Sequence, residues 1–444
     1  MRRIFVLVLL LGAMQLIQPL GTPGYGSQAL LAFGFLVLGA YAAGELATSI
    51  RIPKLVGYII AGVAFGPSAL GAVSAEAVSD LAPVSSLAIA LIAFLAGAEL
   101  LWSDVRAHAG TILRILVSEL GITLVALTAA LMALRSYVPF LRGGTAVEAL
   151  ALSLLFASIA VVHSPAVTMA LLTETRARGP VSRTTLGVVL FSDVVVVLML
   201  TGTLALVRVL VPLSGADAAP VAFSAVAWEV GGAVLVGAAL GGLVALYLRF
   251  LRRELFLFAV IVAFFGAEIA KLMNVEPLLT LMVAGFVAKN ISAPEHGAAL
   301  VSAMERAAAP VFVVFFALAG AHVSVAELVQ LWPLVLPLAV VRAFGIWSGS
   351  GLGARWAGLT GDADASVRRH LWAGLISQAG VAIGLASVVA EAYPNRGGQI
   401  RSLFLALVAV NEAVGAILFR RALERSGEIP ANDAARLELE QART

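Results

Sequence analysis

The sequence predicts an all-α polytopic membrane protein with about thirteen transmembrane helices. The chain has 444 residues, of which 61% are hydrophobic and only 12% are charged, and its mean hydropathy is +1.01. A soluble domain of this size needs far more polar surface. Several windows of about 20 residues carry no charge, and this length crosses a hydrocarbon core of roughly 30 Å. The alternating segments of about ten residues that are typical of a β-barrel do not occur.

Charge and cysteine content narrow the class of protein further. The net charge is only +3, which does not indicate a nucleic-acid partner. The chain contains no cysteine, which excludes disulfides and thiol chemistry. No sequence pattern points to an enzyme or to a cofactor. We therefore expect a non-enzymatic protein whose standing partner is membrane lipid.

The first 27 residues (1–27) resemble a secretory signal peptide, because two arginines precede a short apolar core and polar turn residues. No clear A-x-A cleavage site follows, so an uncleaved N-terminal anchor is the alternative. The polar segment 426–444 is expected to be a short cytoplasmic tail. Between them lie thirteen apolar spans, at residues 28–49, 54–70, 81–101, 109–133, 146–174, 182–208, 222–249, 254–271, 275–290, 299–320, 326–353, 367–391 and 399–423.

Lys and Arg concentrate in the loops on one side of these spans. With residue 28 outside, the inner loops carry RIPK (51–54), ETRARGPVSR (174–183), RFLRRE (249–254) and SVRRH (366–370). The positive-inside rule therefore predicts a multi-pass protein of the inner (plasma) membrane, with its first mature helix starting outside and its C-terminus in the cytoplasm.

The thirteen spans divide into six, one and six, and the single linker span, 222–249, reverses the polarity of the second six. KLVGYIIAG (54–62) and PLLTLMVAG (277–285) are similar and have the same rank in the two halves. The sequence thus predicts two inverted six-helix repeats. Many secondary transporters use such repeats to form two alternating faces around a midplane site.

Asp193 lies near the middle of the sixth span, within LGVVLFSDVVVVLML (186–200). Charged residues inside spans are costly and commonly functional. A carboxylate there could exchange a proton for a cation near neutral pH, with Ser192 as an additional oxygen ligand, since alkali cations prefer hard oxygen donors. The alternative is a carboxylate that is bonded to helix ends and water purely for packing.

The fifth span of the first half contains FASIAVVHSPAVTMALL (156–172). Pro165 removes a backbone donor and disfavours helix at Ser164. We expect a broken helix here, with Ser164 and Thr168 supplying oxygens at the depth of Asp193; a simple proline kink is the alternative. His163 is interpreted as a hydrogen-bonded structural residue, with a proton carrier as the alternative.

The fifth span of the second half contains GLISQAGVAIGLASVV (374–389), with Ser377, Gln378 and Gly380 as breaking residues. It occupies the symmetry-related position. The two patterns together predict a pair of crossed, discontinuous helices beside Asp193.

Four more polar residues lie within spans. Glu119, in ILVSELGITL, and Arg342, in LAVVRAFGIW, have the same helix rank in the two halves, which suggests an ion pair across the core. The alternative is that Glu119 or Asp193 competes for Arg342 during transport. Asn411 and Glu412, in the last span, either line the same polar cavity or cap neighbouring helix ends.

Four stretches resemble the Kef/Nap type of monovalent cation:proton antiporters, within the second cation:proton antiporter family. They are GYIIAGVAFGPSALG (57–71), FLAGAELLWSDV (94–105), the LFSD segment (190–193) and FFALAG (315–320), and the similarity covers residues 28–423. The resemblance implies that Asp193 is the ion-binding aspartate and Arg342 the basic residue of the core. It also implies that SIAVVHSPAV and LISQAGVAIG are the crossed helices.

The resemblance further implies a membrane domain over 28–425 and a homodimer. In this arrangement a moving core, 109–208 and 326–423, carries the ion past a dimerisation domain, 28–101 and 254–320. Ser192 replaces the first of two aspartates found in relatives that move net charge, which favours electroneutral exchange. Glu119 stands where Kef-like chains tend to have glutamine. Residues after 423 contain no nucleotide-binding regulatory domain, so nucleotide gating is not expected.

These observations favour a secondary antiporter that exchanges Na⁺ or K⁺ for H⁺ by competition at Asp193. A sodium-coupled symporter of an organic anion on a related fold is the alternative, since His163, Gln378 and Asn411 are compatible with a roomier polar cavity. A channel or sensor scaffold without coupling is the third possibility. The sequence does not choose between Na⁺ and K⁺, because the same oxygens bind both.

Overall fold

A computed structural model describes residues 27–210, 223–250, 254–361, 364–378 and 393–430, together with positions 386 and 389. Across these residues every regular element is helical, which confirms the all-α prediction. One 3₁₀ turn, Pro139–Leu141, separates two of the α-helices. In chain order the α-helices are α1 (Ser27–Ser49), α2 (Lys54–Phe65), α3 (Ala75–Asp80), α4 (Ala82–Glu99), α5 (Trp102–Ala133), α6 (Ala146–Ala160), α7 (Pro165–Thr175), α8 (Pro180–Leu210), α9 (Phe223–Phe250), α10 (Leu255–Leu272), α11 (Pro277–Ile291), α12 (Pro294–Ala321), α13 (Val325–Trp356), α14 (Ala365–Gly374) and α15 (Pro394–Ser426).

Most of these helices are long and apolar enough to cross a bilayer. Within the described residues nine helical spans meet this condition, and α12 would be a tenth if its two bent halves form one span. Helices α2 and α11 are apolar but shorter, and only part of the predicted span 367–391 is described. The chain is therefore a multi-pass membrane protein, while the count of thirteen and the inverted repeat remain predictions.

Two predicted spans differ from the helices found. The span 54–70 is helical only to Phe65, because Gly66 is extended ahead of Pro67, and a proline disfavours helix at the residue before it. Helix α12 bends by 47° between Arg306 and Ala308. Pro310 lies four residues after Arg306. Its ring crowds the carbonyl of residue 306, and its nitrogen has no hydrogen to donate to that carbonyl.

The buried apolar side chains form two main clusters. The first joins α1–α4 and α9–α12, includes much of α7, and extends to a few residues of α8, α14 and α15. The second joins α5, α6, α8 and α13–α15. Helix α7 thus packs on the first cluster while its partner across the break, α6, belongs to the second. The residues around this break lie between the two packed groups.

Glycines bring two helix pairs of the first cluster into backbone contact. A Cβ on Gly62 (α2) would lie 2.1 Å from the Ala317 oxygen, and one on Gly320 (α12) would lie 2.2 Å from the Ile59 oxygen. A Cβ on Gly285 (α11) would likewise lie 2.0 Å from the Phe94 oxygen. Small residues permit such close helix packing in membranes. The final glycines of the GYIIAG, LMVAG and FFALAG stretches are thus the residues that let these helices touch.

Residues 427–430 depart from the prediction that a solvated tail begins at 426. Helix α15 ends at Ser426, and Gly427, at a φ of 72°, turns the chain back. The Glu428 carboxylate then accepts hydrogen bonds from Val181 N at 2.6 Å and Ser182 N at 2.8 Å, at the start of α8. Glu428 is buried because a helix N-terminus presents unpaired amides that attract a carboxylate. The domain therefore extends at least to this residue.

Candidate ion-binding site

The first predicted break is present between α6 and α7. Helix α6 ends at Ala160 and α7 begins at Pro165, so four residues (161–164) are outside regular helix. Ser164 caps α7, accepting a hydrogen bond from Val167 N at 3.1 Å, and Pro165 occupies the first helical position, where its missing N–H is not needed. The proline therefore starts a new helix and does not merely kink an existing one.

At the position of the second predicted break, α14 ends at Gly374, and residues 375–378 are not helical. Gly380 lies outside the described residues, as does most of the segment that follows it. Ser377 is buried against Gly415 of α15, so closely that a Cβ on Gly415 would lie 2.3 Å from Ser377 Oγ.

Arg342 of α13 connects the two breaks. Its Nε donates to Ala160 O at 2.7 Å and its Nη2 to Val162 O at 2.8 Å, both at the end of α6. Its Nη1 donates to Ile376 O at 2.5 Å, beyond the end of α14. Helix C-termini present unpaired carbonyls and a partial negative charge. The fully buried guanidinium satisfies and neutralises both ends at once.

Glu119 contacts His163 and makes no direct contact with Arg342. Its Oε2 lies 3.0 Å from His163 Nε2, and its Oε1 accepts a hydrogen bond from Thr123 Oγ1 at 3.0 Å. The predicted direct Glu119–Arg342 ion pair is therefore not found in this structure, because the guanidinium donates its hydrogen bonds to three carbonyls instead. The charges of Glu119 and Arg342 still interact through space.

Asp193 lies at a small cavity between the two packed groups. Its Oδ1 is buried and has no hydrogen-bonding partner among the described residues. The cavity measures about 40 Å³, whereas one water needs about 10–15 Å³ and small-molecule pockets have about 300–1,000 Å³. It is lined by Ile89, Ile92, Ala93, Ser164, Pro165, Ala166, Leu190, Asp193, Leu278, Leu279, Met282 and Phe315. This volume accommodates an ion or a few waters.

The other predicted ligands differ in their placement. Ser164 and Pro165 line the cavity with Asp193, so the N-terminus of α7, with its partial positive charge, faces the carboxylate. Ser192 is buried, and its hydroxyl donates to Val189 O at 2.6 Å within α8. Thr168 donates to Ser164 O at 3.1 Å. Neither Ser192 nor Thr168 lines the cavity.

Of the two predicted polar residues of α15, only Asn411 belongs to a hydrogen-bonded chain that reaches the first break. Asn411 Nδ2 donates to Gln378 Oε1 at 2.8 Å, and Gln378 Nε2 donates to Ala160 O at 2.8 Å. Asn411 therefore supports a helix end, one of the two roles considered for it. Glu412 is buried, and its Oε1 has no hydrogen-bonding partner among the described residues. It does not line the cavity beside Asp193.

Sequence reasoning missed Glu276, a carboxylate near Asp193. Glu276 precedes α11, its Oε2 accepts a hydrogen bond from Leu279 N at 2.5 Å, and its charge acts on Asp193. Leu279 itself lines the cavity. The signal was present as an acidic residue directly before Pro277, an arrangement typical of a helix start.

Sequence reasoning also missed a charged cluster on the side of the basic loops. The Glu174 carboxylate, at the end of α7, accepts hydrogen bonds from Lys54 N at 3.2 and 3.3 Å and lies 3.5 Å from Arg420 Nη1 of α15. The Lys54 ammonium also pairs with Glu45 of α1. This cluster joins α1 and α2 to α7 and α15, so it ties the two packed groups together.

A helix interrupted at a buried arginine, together with a buried carboxylate oxygen that has no partner among the described residues, is typical of secondary ion transporters among multi-pass proteins. A family model described as sodium/hydrogen exchanger, transmembrane, matches residues 28–423. The chain belongs to the sodium/hydrogen exchanger family, whose members are transporters and not enzymes. This membership confirms the resemblance to cation:proton antiporters. No curated protein is detectably similar to the chain in sequence.

Two structures of the sodium proton antiporter MjNhaP1 from Methanocaldococcus jannaschii share the fold. The structure at pH 8 gives a TM-score of 0.61 at 14% identity, covering 93% of this chain and 98% of that one. The structure from an electron-microscopy map gives 0.60 at 16% identity, covering 93% and 97%. At this identity the similarity establishes the fold alone.

Proposed function

We propose that the protein exchanges Na⁺ for H⁺ across the membrane by competition of the two ions at Asp193. The observation that carries the proposal is the buried Oδ1 of Asp193, which has no hydrogen-bonding partner in the described part of the chain and lies at a cavity of about 40 Å³. Family membership supports cation:proton antiport as the reaction. The name of the relative MjNhaP1, a sodium proton antiporter, favours Na⁺ over K⁺.

The carboxylate of Asp193 holds one ion at a time. When it is protonated the site is neutral; when the proton leaves, a cation takes its place on the carboxylate oxygens and the site is neutral again. Ser164 lies at the same cavity and is the side-chain oxygen best placed to share the cation. Ser192 carries no charge, so one cation replaces one proton. This balance supports electroneutral exchange.

The small cavity argues against the sodium-coupled symporter of an organic anion. An organic anion needs several times the volume beside Asp193, and the lining of the cavity is mainly apolar. The three side chains proposed for a polar substrate pocket are engaged within the protein: His163 Nδ1 contacts Leu375 O, Gln378 donates to Ala160 O, and Asn411 donates to Gln378 Oε1. They support the helix breaks.

Alternating access requires the Asp193 group to move past the other packed group. The two apolar clusters support such a division, with α5, α6, α8 and α13–α15 as the core and α1–α4 with α10–α12 as its counterpart. We assign homodimer formation to α1–α4 with α10–α12 and place the basic loops in the cytoplasm. The Glu174 cluster then closes the cytoplasmic side in the conformation described.

Proton flux in proteoliposomes tests the proposal. Na⁺ or K⁺ is added to vesicles containing the wild type, Asp193→Asn, or the control Glu295→Gln, whose side chain is 72% exposed at the start of α12. We expect Na⁺-dependent proton movement that is unchanged by clamping the membrane potential, lost in Asp193→Asn and kept in Glu295→Gln. Full exchange in Asp193→Asn would refute the role of Asp193, and exchange driven by K⁺ alone would refute the sodium assignment.

A further inference from the structure

The two contacts of the His163 ring need two protons, one more than a neutral imidazole carries. The ring is fully buried, and its Nδ1 lies 2.7 Å from Leu375 O. A carbonyl oxygen can only accept, so Nδ1 carries a hydrogen. In a neutral ring Nε2 then has a lone pair, yet it lies 3.0 Å from Glu119 Oε2. Two lone pairs do not form such a contact, so a proton must lie between these two atoms.

We propose that His163 and Glu119 form a second proton-binding site of the core, distinct from Asp193, and that its single proton holds the two interrupted helices in register. The proton belongs to the pair, as imidazolium with carboxylate or as imidazole with carboxylic acid. Both forms have no net charge. This zero net charge suits a site that is completely buried.

The shared proton matters for the fold because of where the pair lies. His163 lies in the first break, Leu375 lies directly after α14 at the second break, and Glu119 lies on the long helix α5. The ring therefore joins three elements through its two nitrogens. Loss of the shared proton would leave the Nε2 lone pair facing an ionised carboxylate, and the contact to α5 would break.

The groups around the pair decide where Glu119 would then turn. Arg342, on α13, is the charged group that faces the pair, and its charge interacts with Glu119. Thr123 of α5 donates to the other carboxylate oxygen. Asp193 on α8 and Glu412 on α15 are further carboxyl groups within these helices, and neither is hydrogen-bonded to the pair within the described residues. An ionised Glu119 would therefore move toward Arg342 and compete with the helix-end carbonyls.

The variant Glu119→Gln tests the effect of the proton separately from the effect of the hydrogen bond. The amide of Glu119→Gln can donate to a neutral His163 Nε2 and accept from Thr123, so the contacts and the net charge persist without a titratable proton. By contrast, His163→Gln leaves an ionisable carboxylate without its partner. The imidazole of His322 also contacts a carbonyl, Leu318 O at 2.7 Å, and His322→Gln serves as the matched control.

The first test does not depend on transport. Protein labelled with ¹⁵N-histidine and ¹³C-carboxyl glutamate, in lipid nanodiscs, is observed by magnetic resonance at neutral pH, and signals are assigned with His163→Gln and Glu119→Gln. We expect a hydrogen on His163 Nδ1 and one proton shared between Nε2 and Glu119. A neutral imidazole beside an ionised Glu119 carboxylate would overturn the proposal, whatever the outcome at Asp193.

The second test measures exchange at neutral pH and rests on the proposed antiport. His163→Gln leaves the Glu119 carboxylate without its partner and should lose about tenfold or more. Glu119→Gln keeps every hydrogen bond of the pair and should retain more exchange than His163→Gln, and His322→Gln should match the wild type. Exchange in His163→Gln equal to that of the wild type would overturn the proposal, and so would a folded Glu119→Gln that is as inactive as His163→Gln.

Discussion

Arg342 Nε donates a 2.7 Å hydrogen bond to the carbonyl of Ala160, the last residue of α6. The guanidinium is planar and directs its donors in a fixed fork, so it can satisfy carbonyls of two interrupted helices together. An ammonium group presents its donors from one point and cannot reach all three. The buried arginine is thus a structural centre of the two breaks as well as a fixed positive charge.

Removal of this fork should destabilise the protein strongly. Arg342→Met leaves the buried carbonyls of Val162 and Ile376 unpaired, at a cost of about 1–3 kcal/mol each, and removes one of the two hydrogen bonds to Ala160 O. Arg342→Lys keeps the charge and one or two of the bonds. We expect thermal unfolding in detergent, followed by circular dichroism, to rank the wild type above Arg342→Lys and Arg342→Lys above Arg342→Met. Equal midpoints for the wild type and Arg342→Met would contradict this role.

The glycine contact between α2 and α12 should tolerate no side chain. A Cβ on Gly62 would lie 2.1 Å from Ala317 O, which is backbone and cannot move aside. Gly62→Ala should therefore destabilise the protein by about 1–3 kcal/mol. The matched control is Gly121→Ala on α5, where a Cβ meets nothing within 4 Å. It should gain up to about 1 kcal/mol. A neutral Gly62→Ala in a denaturation measurement would show that these helices are not in close contact.

The Glu174 cluster should limit access to the cavity from the side of the basic loops. Glu174→Gln removes the charge that attracts Arg420 while keeping an oxygen for Lys54 N. Because the chain has no native cysteine, a single Ala93→Cys reports on the cavity through its reaction with an impermeant maleimide. We expect Glu174→Gln to speed labelling from that side several-fold.

The control for this experiment is an ion pair elsewhere. Glu268→Gln breaks the exposed pair with Lys271 at the end of α10 and should leave labelling unchanged. If both variants label at the wild-type rate, the Glu174 cluster does not close this side of the cavity.

Glu428 should stabilise the core, although it lies beyond the end of α15. Its carboxylate accepts hydrogen bonds from Val181 N and Ser182 N at the start of α8, the helix that carries Asp193. Glu428→Ala should lower the free energy of unfolding by about 1.5–3 kcal/mol, and Glu295→Ala, at an exposed site, should not. Truncation after Ser426 with unchanged stability would contradict the assignment.

The sequence predicted those features that depend on local physics. Hydropathy located the spans, and Pro165 located the first break, because a proline without a donor restricts the residue before it as well. Asp193 was proposed as the ion-binding residue from its cost in a bilayer, and that role stays a prediction. Each of these inferences needs only neighbouring residues.

Features that depend on contacts between distant helices were not predicted. The pairing of Glu119 with His163, and not with Arg342, follows from where the ends of α6 and α14 meet, and equal helix rank does not encode that. The buried Glu428 was missed because polar composition suggested a solvated tail. Ser192 neighbours Asp193 in sequence, yet successive helical positions face different directions, and its hydroxyl bonds within its own helix.

The most direct test of competition at Asp193 is proton release on cation binding. Purified protein in weakly buffered detergent solution is mixed with Na⁺ near neutral pH, and the released protons are counted for the wild type, Asp193→Asn and Glu295→Gln. The account predicts about one proton per chain for the wild type and for Glu295→Gln, and none for Asp193→Asn, since one carboxylate holds either ion. Release of the same amount from Asp193→Asn, or Na⁺ binding to the wild type without proton release, would contradict it.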